Sequence, residues 1–272
     1  MTDLAIVLVC HNARDDTTAC IRSITSSPPV TSHEILVVDN GSTDGAPQAI
    51  AREFPPVRVI ETGMNLGFAR ACNIGIRESR SELILLLNSD TLVRAGAIDH
   101  LVADLRSHPD AAIAGPRLVD GAGRIELSWG RMIAPFTELV QKGLGRLNAR
   151  GSRIVTTLVE REAHRARVVD WVSGACLLVR RRDAEAAGLL DERYFMYLED
   201  VDFCAAVRAR GLAVRFCPDA EIVHLRGRSR ASIPSATERA YRQSQLAFYA
   251  KHHPLWLPLL RAYLRIRRKL PK

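Results

Sequence analysis

The sequence is poor in several features that would assign it to common classes of protein. Its six cysteines include no CxxC pair, aromatic residues make up only 6%, and just four of the 38 basic residues are lysine. No apolar run approaches the roughly 20 residues that a membrane-spanning helix needs. Widely spaced cysteines without a paired motif argue against a zinc site or a disulfide framework, and favour buried, reduced thiols in a cytosolic protein.

The N-terminus also lacks the marks of an export signal. Its first residues run straight into an apolar, strand-like segment, without a basic region or a cleavage site before it. We therefore expect the protein to remain in the cytoplasm.

Charge is distributed unevenly along the 272 residues, which carry a formal net charge of +8. Residues 205–272 contain 15 basic and 3 acidic residues, whereas residues 1–204 contain 23 basic and 27 acidic residues. A basic surface suits nucleic acid or an anionic membrane. The question of such a partner therefore concerns the C-terminal part alone.

Short apolar runs alternate with stretches of helical spacing over the first 115 residues. The runs cover residues 4–10, 34–38, 57–60 and 83–87, each too short for a helix and typical of strands covered on both faces. Such alternation predicts βαβ units and a mostly parallel sheet, with ligands bound at the carboxyl ends of the strands. Three polar segments lie at this predicted edge: 39–45, 65–68 and 88–90.

The pattern is less regular after residue 115. A hairpin turn is predicted over residues 119–125, and a helix over 198–210 that is followed by short strands over 213–217 and 221–225. Residues 131–167 show no regular pattern and are expected to be irregular and to contact an acceptor substrate.

Several side chains could carry chemistry, and each also has an ordinary structural explanation. Five carboxylates lie between Asp191 and Asp202 among aromatic residues, where burial would raise their pKa and suit a general base. Acids at a helix start, however, are also common caps. Asp90 follows a strand and could hold a divalent cation or simply form a turn. His224 could be a metal ligand or a buried core histidine.

Seven motifs in this order resemble the family 2 inverting glycosyltransferases, and within them the bacterial rhamnosyltransferase-like branch. The resemblance covers about residues 4–230. It is carried by Val9-Cys10-His11-Asn12, Val37-Val38-Asp39-Asn40-Gly41-Ser42-Thr43-Asp44, Asn65-Leu66-Gly67-Phe68-Ala69, Leu86-Leu87-Asn88-Ser89-Asp90, Gly174-Ala175-Cys176-Leu177-Leu178, Phe195-Met196-Tyr197-Leu198-Glu199-Asp200-Val201-Asp202 and Val223-His224.

This resemblance implies an α/β fold of the GT-A type, a Rossmann-like nucleotide-diphospho-sugar transferase with a mostly parallel central sheet and a C-terminal helical extension. The catalytic domain would span residues 1–230, with a nucleotide-sugar half over 1–115 and an acceptor half over 116–230. A basic amphipathic helical tail over 231–272 would follow.

The resemblance also implies roles for individual residues. Asp200 would be the catalytic base beside Glu199, and Asp90 and His224 would hold Mg²⁺ or Mn²⁺. Because Asn88 stands where a first Asp is frequent, the donor phosphates would supply much of the cation's coordination. The residues implied in donor binding are His11, Asn12, Asp39, Asn65, Gly67, Asn73, Asn88, Ser89 and Asp90, and those implied in acceptor binding are Gly174, Tyr197 and Asp202.

The activity implied is transfer of a sugar from a nucleotide-diphosphate donor, dTDP-rhamnose first and a UDP-sugar otherwise. The acceptor would be a hydroxyl of a glycan or of a polyprenyl-diphosphate-linked acceptor in cell-envelope polysaccharide synthesis. Asp200 would take the proton of that hydroxyl, while the cation stabilises the departing diphosphate.

An apolar stripe in the basic tail predicts contact with a membrane. Leucine and aromatic residues recur there at helical spacing beside arginines and lysines, a pattern typical of a helix that lies on an anionic bilayer at the inner face of the cell membrane. The alternative is that the stripe packs on the body and the charges form a solvated face. The stripe comprises Leu255, Trp256, Leu259, Leu260, Tyr263 and Leu264, and the basic residues are Arg261, Arg265, Arg267, Arg268, Lys269 and Lys272.

Two other classes of function fit less well. A nicotinamide-dependent oxidoreductase would need GxGxxG after the first strand, where His11-Asn12-Ala13-Arg14 stands instead. A basic nucleic-acid- or membrane-binding protein without catalysis would use the same tail. No nucleic-acid motif accompanies its charge, so we expect no nucleic-acid partner. The sequence does not indicate an oligomeric state.

Overall fold

A central sheet organises the chain, and a computed structural model describes residues 2–149, 152–225 and 234–271. The strands are β1 (Leu4–Cys10), β2 (His33–Asp39), β3 (Arg58–Glu61), β4 (Leu83–Asn88), β5 (Thr91–Val93), β6 (Ala111–Val119), β7 (Trp129–Gly130), β8 (Arg167–Val169), β9 (Trp171–Val172), β10 (Cys176–Arg180) and β11 (Ala213–His224). The helices are α1 (Arg14–Ser26), α2 (Ala46–Glu53), α3 (Phe68–Glu78), α4 (Ala97–Ser107), α5 (Pro135–Ala149), α6 (Arg153–Glu162), α7 (Arg181–Ala186), α8 (Glu199–Arg208), α9 (Pro234–His252) and α10 (Leu257–Ile266), with a 3₁₀ turn at Pro254–Trp256 before α10.

The strand order in the sheet is β3-β2-β1-β4-β10-β6-β11-β5, and β8 also pairs with β11. β1, β2, β3, β4, β6 and β11 run in one direction, and β5, β8 and β10 run against their neighbours. The predicted mostly parallel sheet is therefore confirmed. β7 and β9 form a separate antiparallel pair.

Helices cover both faces of the sheet, which explains why β1 is apolar at every position. Leu4, Ile6 and Leu8 belong to a core shared with α1 and α4, whereas Ala5 and Val7 belong to a second core shared with α3 and α8. Because alternate residues of a strand point to opposite faces, a strand covered on both faces loses no side chain to water.

The expectation that residues 131–167 are irregular is wrong. Most of this segment forms α5 and α6, which pack against each other. Large apolar side chains of both helices remain exposed. The apolar residues of α5 lie on its exposed side, and those of α6 lie on both its buried and its exposed sides, so neither helix has the single buried stripe that is usual for a helix of a globular protein.

The second half of the chain adds its strands to the same sheet. The two short strands predicted after residue 212 are one strand, β11, whose register shifts between Cys217 and Glu221. The proposed division at residue 115 falls inside β6, so both halves share one sheet. The proposed domain end at residue 230 lies outside the described residues.

The C-terminal helices pack on the body through one side only. Phe248 and Tyr249 of α9 are buried with Tyr194 and Leu198, and Leu257 and Leu260 pack against this third cluster. Leu264 is also buried, whereas the other side chains of the predicted stripe face outward: Leu255, Trp256, Leu259 and Tyr263. The alternative that the stripe packs on the body is therefore confirmed for Leu260 and Leu264, and contact of the exposed residues with a membrane stays a prediction. Lys272 of the predicted tail lies outside the described residues.

Two predictions about composition can be compared with the fold. All six cysteines are buried and free, and burial raises the pKa of Cys20 to about 12. In the part of the chain that the structure describes, no helix combines the length and apolarity needed to cross a membrane.

Candidate active site

The sheet brings the predicted site residues to one edge. In the register of β1, Cys10 pairs with Asp39 of β2 and Val9 pairs with Asn88 of β4. The segments that begin at His11, Asn40 and Ser89 therefore leave the sheet side by side. As predicted, the polar segments 39–45, 65–68 and 88–90 follow the carboxyl ends of the parallel strands β2, β3 and β4, where α/β sheets bind ligands, and the loop that begins at His11 follows β1 between them.

Only one of the two carboxylate oxygens of Asp39 accepts a hydrogen bond within the described residues. Its Oδ2 accepts a hydrogen bond from the backbone N–H of Ser42 at 3.0 Å. Its Oδ1 is buried and has no hydrogen-bond partner among the described residues. Because a buried acceptor without a partner costs free energy, this oxygen fits a site that is completed by an N–H donor of a ligand.

Asn40 connects the loop after β2 to the loop after β3. Its Nδ2 donates to Asn65 Oδ1 at 3.0 Å and to the carbonyl of Gly67 at 3.3 Å, and its Oδ1 accepts from the backbone N–H of Leu66 at 2.8 Å. His11 Nδ1 lies 2.9 Å from the carbonyl of Asn40. The amide of Asn40 therefore fixes the shape of this edge, although the sequence pointed to its neighbour Asp39.

Asn12 and Asn65, both predicted to bind the donor, also make contacts that shape the loops. Asn12 Oδ1 accepts from the backbone N–H of Thr43 at 2.7 Å, and Asn65 Oδ1 accepts from that of Gly67 at 3.0 Å. Asn12, Asn65 and His11 are exposed at the mouth of the edge. Their role in donor binding stays a prediction.

Gly67 allows the loop after β3 to approach the segment that leads to α8. A Cβ at Gly67, where φ is +86°, would lie 2.7 Å from the carbonyl oxygen of Phe195. The next residue, Phe68, donates its backbone N–H to that same oxygen at 2.7 Å. Only glycine combines this backbone conformation with so close an approach.

Asp200 lies at the start of α8 and is held by two backbone donors. Its Oδ2 accepts from the N–H of Gly174 at 2.8 Å, and its Oδ1 accepts from the N–H of Val201 at 2.8 Å. Burial raises the pKa of Asp200 although both hydrogen bonds lower it. A Cβ at Gly174 would lie 3.1 Å from Cβ of Asp200, so this glycine also provides the space for the carboxylate.

Glu199 is more deeply enclosed than Asp200. Burial and the adjacent Asp200 raise the pKa of Glu199 well above its ordinary value, and its Oε2 is buried with no hydrogen-bond partner in the described structure. Ionisation of one of these adjacent carboxylates disfavours ionisation of the other. Asp200 accepts both backbone hydrogen bonds and is therefore the one that is more readily ionised.

The backbone before these carboxylates is strained. Tyr197 and Leu198 both have positive φ, at 72° and 68°. Side chains other than glycine rarely adopt this conformation, and such strain is concentrated at functional sites. The turn delivers Asp200 to the sheet edge, while Tyr197 stays half-buried with its ring edge-on to Tyr241.

The fourth strand joins Asp200 to Asp90. Asn88 donates its backbone N–H to the carbonyl of Ala175 at 2.9 Å, and Ala175 follows the Gly174 that holds Asp200. Asn88 and Ser89 are half-buried and precede Asp90 in the turn from β4 to β5. Their part in donor binding stays a prediction.

Asp90 and His224 lie together, and a third residue holds the histidine in place. Asp90 Oδ1 is 3.3 Å from His224 Nε2, and Glu126 Oε2 is 3.1 Å from His224 Nδ1. Although burial lowers it, the pKa of His224 is raised overall, because both carboxylates favour the imidazolium. Glu126 could not be predicted from the sequence, because it follows a turn and belongs to no recognised motif.

Asn73 and Asp202, which were predicted to bind the donor and the acceptor, make structural contacts away from this edge. Asn73 is buried in α3, where its Nδ2 donates to the carbonyl of Leu190 at 2.8 Å and to Glu192 Oε1 at 3.0 Å. Asp202 is buried in α8 and lies 2.8 Å from Lys251 Nζ and 2.6 Å from His252 Nε2. These contacts hold loops and α9 in place, so neither residue enters the site proposed below.

The chain is similar to known proteins in sequence and in fold. Residues 5–167 match the model for glycosyl transferase family 2. An N-acetylglucosaminyl-diphospho-decaprenol L-rhamnosyltransferase of Mycobacterium tuberculosis is 33% identical over 245 residues, which cover 86% of this chain and 79% of that protein. A dTDP-rhamnosyl transferase, RfbF, of Shigella flexneri is 28% identical over 71% of this chain and 60% of its own length.

Among solved structures, a mannosyltransferase from Pyrobaculum calidifontis in complex with GDP-Man and Mn²⁺ superposes with a TM-score of 0.63. It is 18% identical, and the match covers 96% of this chain and 69% of that one. The fold is thus that of GT-A glycosyltransferases, as the resemblance implied. With a family model that matches more than half of its length and a relative that is one-third identical, the chain belongs to glycosyl transferase family 2.

Proposed function

We propose that the protein transfers a rhamnosyl group from dTDP-rhamnose to a hydroxyl of a glycan linked to polyprenyl diphosphate, with inversion at the anomeric carbon. The observation that carries the proposal is Asp200, a carboxylate of raised pKa held by two backbone donors at the ligand-binding edge of the sheet. The substrates are supported by the names of the mycobacterial and Shigella relatives. Such a reaction belongs to cell-envelope polysaccharide synthesis.

Asp200 would act as the general base. It accepts the proton of the acceptor hydroxyl as that oxygen bonds to the anomeric carbon, and the bond from that carbon to the diphosphate breaks. Attack from the side opposite the leaving group inverts the configuration. A positioned base contributes typically about 10²–10⁴-fold, and alignment of the two substrates contributes the larger share of the rate.

Asp39 would hold the nucleotide base. Its unpaired, buried Oδ1 can accept an N–H of the pyrimidine ring, while its Oδ2 stays on Ser42. Thymine and uracil both present such a donor at N3, and guanine presents one at N1, so this contact suits dTDP and UDP but does not by itself select among these bases.

Asp90 and His224 fit a divalent cation. A carboxylate oxygen and an imidazole nitrogen 3.3 Å apart converge on one point, and both are ligand types that Mn²⁺ accepts. Glu126 at Nδ1 favours the tautomer that leaves Nε2 free to coordinate. The described residues contain no group of three or more potential ligands, so the donor phosphates would complete the coordination, and the bound Mg²⁺ or Mn²⁺ would neutralise charge on the leaving diphosphate.

A panel of nucleotide-sugars tests the donor and the cation together. The full-length protein is incubated with GlcNAc-diphospho-polyprenol and with dTDP-rhamnose, UDP-glucose, UDP-GlcNAc or GDP-mannose, in Mg²⁺ or Mn²⁺, and the released nucleoside diphosphate is measured. We expect release of dTDP alone, and its loss in EDTA. Release from another donor only would refute the proposed donor, and full activity in EDTA would refute the cation.

The anomeric configuration of the product, measured by NMR, tests the mechanism. A product that keeps the configuration of the donor would refute inversion with Asp200 as base. The lipid-linked acceptor would also place the protein in the cytoplasm at the inner face of the cell membrane, with the basic tail as its point of contact.

A further inference from the structure

Helices α5 and α6 expose an apolar surface that the proposed reaction does not use. On α5, Phe136 and Leu139 are each 72% exposed, and Val140, Leu144 and Leu147 continue the same side of the helix at spacings of three to four residues. This spacing places one side chain per turn on a single face. Water therefore meets a continuous apolar row along α5.

Helix α6 extends this surface. Ile154, which is 76% exposed, and Leu158 lie one turn apart on its outer side, whereas Val155 and Val159 are buried. The helix is thus apolar both toward the body and away from it. Burial on the body satisfies only one of these two faces.

The C-terminal segment has the same two-sided character. Leu257, Leu260 and Leu264 pack inward, while its outward side carries five large apolar side chains: Leu255, Trp256, Leu259, Tyr263 and Ile266. Leu255 and Ile266 are the most exposed of these, at 90% and 80%.

The two surfaces are continuous. The rings of Phe136 and Trp256 meet edge-on with their centroids 5.9 Å apart. We call the exposed apolar residues of α5, α6 and the C-terminal segment together the outer face. In the part of the chain that the structure describes, twelve of the seventeen exposed large hydrophobic side chains belong to it. A concentration of this kind marks an interaction surface.

The charge on the C-terminal part of the outer face is basic. Arg261, Arg265, Arg267 and Arg268 are exposed, and none has an ion-pair partner within the described ranges. The sequence contains no acidic residue after Glu238. Apolar side chains that include tryptophan, flanked by unpaired arginines, complement a bilayer with anionic headgroups.

We propose that the outer face binds an anionic lipid bilayer, with α5 and α6 as a second anchor beside the C-terminal segment. The choice of a membrane as partner rests on the proposed function, because the acceptor would itself be embedded in the bilayer. Two anchors on separate segments would hold the protein in one orientation, which a single helix does not do.

Hydrogen bonds and side-chain packing connect the outer face to the segment that precedes Asp200. Glu138, on the inner side of α5, accepts hydrogen bonds from Gln245 Nε2 and Tyr249 Oη of α9, both at 2.6 Å. Tyr249 is buried in the same cluster as Tyr194 and Leu198, which precede Asp200. Docking of the outer face would therefore set the position of Asp200 relative to the membrane surface.

Flotation with liposomes tests the two anchors separately. We would compare wild-type protein with Leu139→Ser/Ile154→Ser and with Leu259→Ser/Ile266→Ser, on vesicles of phosphatidylcholine with and without 30% phosphatidylglycerol (roughly the anionic content that such electrostatic attraction needs). Val30→Ser is the matched control, because Val30 is 93% exposed but precedes β2 at the opposite edge of the sheet.

We expect wild type and Val30→Ser to bind the anionic vesicles. Each double variant should bind them at least about tenfold more weakly. Wild-type-like binding by Leu139→Ser/Ile154→Ser, with its fold verified by circular dichroism, would overturn the second anchor. Absence of wild-type binding would overturn the proposal as a whole. If light scattering shows that the wild type is a dimer and that Leu139→Ser/Ile154→Ser is a monomer, the outer face contacts a second copy of the chain instead of a membrane.

A water-soluble acceptor with a short lipid chain separates this proposal from the proposed function. We expect Leu259→Ser/Ile266→Ser to leave dTDP release with that acceptor unchanged and to lower it only with acceptor embedded in vesicles. Equal loss with both acceptors would overturn the anchoring role. If wild type releases no dTDP with either acceptor while vesicle binding follows the expected pattern, the rhamnosyltransferase assignment fails and the outer face stands.

Discussion

Replacement of Asp200 by asparagine tests the centre of the proposed mechanism. The change keeps the size of the side chain but removes its ability to accept a proton at neutral pH. It also converts one of two acceptor oxygens into an NH₂ group that faces the N–H of Gly174 or Val201. One of the two hydrogen bonds at 2.8 Å is therefore lost.

The expected magnitudes follow from these two changes. Loss of a general base lowers kcat by about 10²–10⁴-fold, which corresponds to roughly 3–5.5 kcal/mol in the barrier. Loss of one backbone hydrogen bond costs about 0.5–1.5 kcal/mol of stability, but removal of a charge whose pKa burial had raised offsets it. We expect kcat to fall at least about a hundredfold while the free energy of unfolding changes by less than about 1 kcal/mol.

The assay is single-turnover transfer from dTDP-rhamnose, with the Kd for dTDP measured by calorimetry and stability by urea denaturation. Asp110→Asn is the matched control, because Asp110 is exposed beside the first residue of β6, at the opposite edge of the sheet. The same loss of charge there should leave kcat unchanged. A kcat of Asp200→Asn close to that of wild type would refute the role of Asp200 as base.

Three further predictions concern pH, the cation and the donor loop. Because the raised pKa of Asp200 lies above 3.8, kcat/KM should rise with pH through that higher pKa and then level off, and a profile already flat from about pH 4 would contradict this. Glu126→Gln should weaken Mn²⁺ binding in the presence of dTDP by about 10–100-fold, measured by electron paramagnetic resonance of free Mn²⁺, and an unchanged affinity would show that Glu126 does not orient His224. Gly67→Ala should lower the free energy of unfolding by about 2–4 kcal/mol, because its Cβ would meet a backbone oxygen, whereas Gly63→Ala, which has positive φ but open space, should cost about 1 kcal/mol. Equal costs in urea denaturation would exclude the close approach as the reason for glycine at 67.

The part of the fold that could be predicted is the set of strands that appear in the sequence as short apolar runs. β1, β2 and β4 are apolar at most positions because both of their faces are covered, and this pattern needs no knowledge of their partners, whereas β3 has apolar residues only at its two central positions. The expected segments match the observed strands to within one residue at each end. The sheet edge that holds Asp39 and Asp90 follows from the strand direction alone.

The helices α5 and α6 could not be predicted in the same way. Helical periodicity is visible when one side is apolar and the other polar, and α6 has apolar residues on both its buried and its exposed sides. On α5 the described apolar residues lie on the exposed side alone, and Gly143 and Gly145 within the segment weaken the local preference for a helix. The C-terminal stripe admitted two interpretations for a related reason, since part of it packs on the body and the rest is exposed.

The sequence by itself determined the family, the order of the strands along the chain, and the carboxylates that carry the proposed reaction, because these depend on local composition and on motifs. Only the tertiary structure decided which groups meet. Glu126 reaches His224 across 98 residues, Gly174 reaches Asp200 across 26, and Asn73 is taken up by a loop 117 residues away. Such contacts depend on how strands and loops pack in space, and the local pattern of residues does not encode the partner of a side chain whose neighbours come from distant parts of the chain.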